Sequence, residues 1–167
     1  RDLHFAIRRQ RHMCIRDRFF TVEKEGRLLR NQGSRGVGLN IDHGVIASVK
    51  QVSSDGQISD STITIIDHEG ELLVDSDQQY RQLIDELVYA RLLQENYIFN
   101  IEITLQLPTS QGMGMSAAGL IALATAFREL TGEGNIDQYY RICHRIERLR
   151  GSGLGDVLGI YAGGVEI

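Results

Sequence analysis

From Phe99 to Leu107 the chain alternates, with Ile101, Ile103, Leu105 and Leu107 two apart, which predicts a strand with one buried face. Pro108 ends it. The apolar spacing then turns helical from Ser116 to Leu130, closing near Thr131-Gly132, and again from Ile136 to Leu149, with Asn135 as the candidate N-cap. An earlier stripe, Leu83, Ile84, Leu87, Val88, Leu92 and Leu93, predicts a first helix over Asp77 to Asn96 with no evident chemistry. Upstream lie β-rich runs. Val37 to Val52 carries a turn signal at Asp42-His43-Gly44, predicting two short strands joined tightly, and Ser61 to Ile66 reads as a strand to which Glu71 to Val74 returns. A meander is the simplest arrangement. The whole order fits an α+β layer fold, a mixed sheet with helices on one face.

Composition adds limits. At 42% hydrophobic and 24% charged, with no apolar run long enough to span a bilayer, the chain reads as one ordinary domain without a membrane partner. Cys14 and Cys143 form no metal-type pair and no disulfide framework, which fits a reducing cytoplasm. Residues 1–18 stand apart, because RDLHFAIRRQRHMCIRDR lacks a clean apolar period and holds six Arg against two Asp. Its RQRHMCIRDR portion resembles translated sequencing-adapter read-through from environmental DNA, with a native basic arm or a transit peptide as alternatives. The segment is therefore left out of the fold, and the domain is taken as residues 19–167. It contributes +4 to a net charge of −4, so the remainder carries −8 and argues against nucleic-acid binding.

The chemistry concentrates at PTSQGMGMSAAG, Pro108 to Gly119. A strand feeding a glycine turn that opens a helix gathers backbone N–H groups and a positive dipole end, which suits phosphate. Gly112 and Gly114 allow close approach, and the Ser116 hydroxyl suits a phosphate oxygen or its magnesium ion. The alternative is a turn that only packs a helix against a sheet.

Read whole, Pro108 followed by Gly112-Met113-Gly114-Met115-Ser116-Ala117-Ala118 resembles the P-x-x-x-G-L-G-S-S-A-A phosphate loop of the GHMP kinases, with Met115 in place of the first Ser. It is not a Walker-type loop, since no Gly-Lys-Ser/Thr follows. Two further runs, GSRGVGLNIDHGV at Gly33 to Val45 and CHRIERLRGSGLGDVLGIYAGGVEI at Cys143 to Ile167, are similar to segments of the archaeal pantoate kinases. Three blocks in order cover roughly Phe19 to Ile167. The resemblance implies a GHMP kinase N-terminal domain with a ribosomal-protein-like β-α-β fold, truncated before its C-terminal domain and so inactive alone. It also implies transfer of the γ-phosphoryl group of ATP to pantoate, with Mg2+ as cofactor, in coenzyme A biosynthesis, by a cytoplasmic enzyme that could be a homodimer. Homoserine, mevalonate or shikimate as acceptor, or a non-catalytic ligand-binding member of the fold, are the alternatives.

Residue roles follow from the same resemblance. Pro108, Gly112, Met113, Gly114, Met115, Ser116 and Ala117 would hold the nucleotide, and Asp156 would be the catalytic carboxylate beside the attacking hydroxyl. Ser116 and Glu147 would face the metal and complete the catalytic set, Glu147 otherwise being a surface ion-pair partner of Arg148 or Arg150. His144, three residues before Glu147, shares its helix face. With Ser34 and Arg35 it would contact pantoate, an Arg fork being suited to a carboxylate.

Overall fold

The computed structural model describes residues 5–14, 38–152, 155–163 and 165–166. Ser34 and Arg35 lie outside them. Among the described residues five strands form one mixed sheet: β1 (Phe5–Cys14), β2 (Gly38–Ser53), β3 (Thr62–Ile66), β4 (Ile98–Leu105) and β5 (Val165–Glu166). Their order is β1-β2-β4-β3, with β5 paired to the start of β2. Four α-helices accompany them, α1 (Gln78–Tyr89), α2 (Met115–Thr131), α3 (Ile136–Arg150) and α4 (Asp156–Ala162).

The long strand β2 corrects the expectation of a tight turn at Asp42-His43-Gly44. Val45, Ala47 and Val49 alternate into the core, so the chain stays extended. Gly44 is then held as a strand residue rather than released into a turn: its N–H donates to the Gln106 side chain at 2.9 Å and its carbonyl accepts the Gln106 N–H at 2.9 Å. The meander is also overturned. β4 is inserted between β2 and β3, antiparallel to the first and parallel to the second. Parallel neighbours require a crossover, and α1 supplies it. Leu72 only bridges Ile66, so Glu71 to Val74 forms no strand of its own.

Residues left out of the fold in the sequence reading are part of it here, since Phe5–Cys14 pairs antiparallel with β2. Strand addition is carried by main-chain hydrogen bonds, so an extended run needs no apolar period to occupy an open sheet edge.

Helix α1 ends well before Asn96. Arg91 takes a left-handed conformation (φ 59°), and the N–H groups of Leu92 and Leu93 both reach the Leu87 carbonyl. This fold-back buries Leu92 and Leu93 in the core, so they belong to the apolar stripe without being helical. Helix α2 is apolar all round and runs through the interior, with Leu120, Ile121, Leu123 and Phe127 fully buried and Phe127 edge-on to Phe99 of β4. Gly132 (φ 71°) closes it. Asn135 and Gln138 form a reciprocal capping box that starts α3.

Where α1 crosses α2 the packing leaves no room for a side chain. A Cβ at Gly119 would lie 2.3 Å from the hydroxyl of Tyr80, itself only 2% exposed. Gly119→Ala is therefore expected to destabilise the domain by ~1–3 kcal/mol, the usual cost of overpacking. A melting temperature unchanged from wild type would contradict this contact.

Candidate active site

Three elements converge at the N-terminal end of α2. The loop after β4 reaches the helix through left-handed residues at Ser110, Gly112 and Gly114 (φ 60°, 66° and 62°). At Gly112 a Cβ would meet nothing within 4 Å, so glycine is favoured there by backbone conformation and not by space. Gly114 caps α2 without any side-chain hydrogen bond, in contrast to the capping box of α3. The first N–H groups of α2 have no intrahelical acceptor and stand available to an anion. Met113 is half-buried and Met115 is buried in the core, so the latter supports the loop from beneath.

Ser116 turns its hydroxyl toward α3. Its Oγ lies 2.5 Å from Glu147 Oε1 and 2.7 Å from Gln79 Oε1. Glu147 is 1% exposed, and its Oε1 also accepts from Ser152 Oγ at 3.1 Å. That second contact follows from the end of α3: Gly151 (φ 66°) donates to the Arg148 carbonyl and Ser152 N–H to the Glu147 carbonyl, folding Ser152 back over its own helix. Glu147 Oε2 is buried with no hydrogen-bond partner among the described residues. Burial pushes the Glu147 carboxyl above its ordinary range, against the pull of Ser116 and Ser152, and the nearby Asp156 charge pushes the same way. No ion pair with Arg148 or Arg150 forms among the described residues.

Asp156 belongs to a short helix. It opens α4, where an acid is favoured by the helix dipole, and it is 8% exposed. Helix α4 is fastened by Asn40 Nδ2 donating to the Gly159 carbonyl at 3.0 Å and by Tyr161 donating to Asp137 at 2.7 Å. This fastening holds Asp156 close enough to influence Glu147 electrostatically. His144 lies one turn before Glu147, half-buried, with its Nδ1 buried and unpartnered among the described residues. Burial, then Arg148, lowers its pKa, so the ring is neutral at pH 7.

Ser116, Glu147 and Asp156 are thus brought together around a buried, unpartnered carboxylate oxygen beside a glycine loop. Those oxygens are hard donors, suited to a small divalent cation whose remaining ligands come from phosphates and water. Among the described residues no cluster of three His, Cys, Asp or Glu stands ready to hold a metal by itself. Sequence reading missed Gln79, Tyr80 and Ser152. Gln79 sits on the helix judged free of chemistry, and no local pattern announces a partner 37 positions away.

The loop, the sheet order and the buried α2 define an α+β domain with a glycine loop at a helix N-terminus, and comparison with known proteins gives it a family. Residues 82–164 match the GHMP kinases N-terminal domain, and through that domain the chain belongs to the GHMP kinases. No curated protein sequence matches. Among solved structures, a phosphotransferase related to the CoA biosynthesis pathway is similar over 99% of this chain and 52% of its own, at 23% identity and a TM-score of 0.71. The mevalonate kinase of Methanococcus jannaschii is similar over 99% of this chain and 53% of its own, at 16% identity and a TM-score of 0.69. The homoserine kinase of Cytophaga hutchinsonii is similar over 73% of this chain and 39% of its own, at 21% identity and a TM-score of 0.56. At these identities the likeness is one of fold. The chain spans about half the length of the first two structures.

Proposed function

We propose that this chain is the ATP-binding part of a small-molecule kinase that phosphorylates the primary hydroxyl of pantoate to 4-phosphopantoate. The observation that carries the reading is the Ser116–Glu147 contact at 2.5 Å beside the loop of Gly112 and Gly114, with the second Glu147 oxygen left without a partner among the described residues. Backbone N–H groups from Gly112 to Ala117 would receive the triphosphate, and Ser116 and Glu147 would hold Mg2+. The ion, when bound, neutralises charge on the transferring phosphoryl group. Asp156 would orient the attacking hydroxyl and take up its proton, while His144, Ser34 and Arg35 would meet the carboxylate and hydroxyls of the acceptor.

Pantoate is favoured by the residue patterns at Gly33 to Val45 and Cys143 to Ile167, and the similarity to a phosphotransferase of CoA biosynthesis supports the same choice. Likeness of almost equal degree to a mevalonate kinase keeps mevalonate as the second reading. Measuring ADP release by the full gene product with pantoate, mevalonate, homoserine and shikimate separates them. Pantoate-dependent ADP is expected, and release with another of these alcohols but none with pantoate would overturn the assignment.

A further inference from the structure

Helix α1 reaches the site through one side chain. Gln79 is half-buried, with its Oε1 2.7 Å from Ser116 Oγ. Its neighbour Tyr80 is buried against Gly119 of α2, where its hydroxyl leaves no room for a Cβ. Burial pushes the Tyr80 phenol up to about 12, with Gln79 pulling the other way.

We infer that Gln79 is a positioning residue of the metal-phosphate site, accepting the Ser116 proton so that the lone pairs of Ser116 Oγ face the cation. The inference rests on the proposed function. A serine hydroxyl carries one proton and has two close acceptors, Glu147 Oε1 and Gln79 Oε1. With a divalent cation beside Glu147, a proton lying between Ser116 and Glu147 would point into positive charge. It then needs an acceptor on the far side, and Gln79 is already within hydrogen-bond distance there.

The test is binding of adenylyl imidodiphosphate to the chain, by calorimetry, with Mg2+ and with Mg2+ removed by chelator. Gln79→Met removes the acceptor at similar length, and Gln79→Glu keeps an acceptor oxygen at the same reach. Expected for Gln79→Met is a Kd roughly three- to tenfold weaker with Mg2+, the worth of one hydrogen bond, and within about twofold of wild type without it. Gln79→Glu should recover most of the metal-dependent part. Equal affinities for wild type and Gln79→Met with Mg2+ would overturn the role of Gln79. So would a parallel loss with and without Mg2+, or a loss that Gln79→Glu fails to recover. Failure of the wild-type chain to bind the nucleotide in either condition would instead overturn the proposed function, and the inference with it.

Discussion

Asp156→Asn is expected to lower kcat by about a hundredfold or more in the full gene product while leaving ATP affinity nearly unchanged. The reason lies in where this carboxylate stands. Asp156 opens α4 at 8% exposure, on a helix tied to β2 through Asn40 and to α3 through Tyr161, so its position is fixed by packing that asparagine preserves. What asparagine removes is the negative charge that orients and accepts the proton of the attacking hydroxyl, an interaction felt mainly in the transition state. Steady-state kinetics with a separate nucleotide Kd check it. Near-normal kcat would remove Asp156 from the chemistry and leave it as the opening residue of α4.

Glu147→Gln should separate function from stability in opposite directions. The folded-state pKa of Glu147 is raised above its ordinary value of 4.5, chiefly by burial, so the neutral form is the one the fold prefers. Stability from that preference is fully present below pH about 4.5 and is lost as pH rises through the raised value. Above the raised value the wild type carries a buried charge with one oxygen unpartnered among the described residues, and a neutral amide of the same shape avoids it. Glu147→Gln is expected to melt higher than wild type once pH exceeds that raised value and to lose the Glu147 contribution to pH dependence above 4.5. Its metal-dependent nucleotide affinity should fall by at least roughly tenfold, as for loss of a metal-site carboxylate or its close support. Thermal melts across pH, with nucleotide titrations at fixed Mg2+, check both halves. Such a trade is what a residue kept for ligand binding at a cost in stability would show.

How far the residues announced this site depends on the range over which each signal acts. Strand β4, the glycine loop and the start of α3 were legible because alternation, Pro108 and the Asn135–Gln138 pair act within a few residues. Sheet order was not, since nothing in Ser61 to Ile66 says that β4 will pair with it in parallel and displace β2. The end of α1 was hidden by the same limit: Leu92 and Leu93 extend the apolar stripe, and only the left-handed turn at Arg91 shows that they reach the core as a loop. Ser116, Glu147 and Asp156 could be named only through the resemblance to the GHMP kinases, and the structure puts Ser116 in hydrogen-bond contact with Glu147 and Asp156 near enough to act on its charge. Gln79 and Tyr80 could not, because their meaning comes from a helix crossing at Gly119. Gly44 misled in the opposite sense, its turn-like neighbours being overridden by pairing with Gln106.

On the proposed function, nucleotide phosphates sit on the loop from Gly112 to Ala117 at the start of α2. A cavity of about 320 Å³, lined by Arg91, Leu93, Tyr97, Phe99 and Leu130 among others, lies at the far end of that helix and makes the choice of site measurable. Amide hydrogen exchange of the chain, followed with and without Mg2+ and adenylyl imidodiphosphate, reads both regions at once. Slowed exchange confined to residues 110–118 and the end of α3 is the expected result. Protection around Arg91 to Phe99 instead, with the glycine loop unchanged, would contradict nucleotide binding at this site.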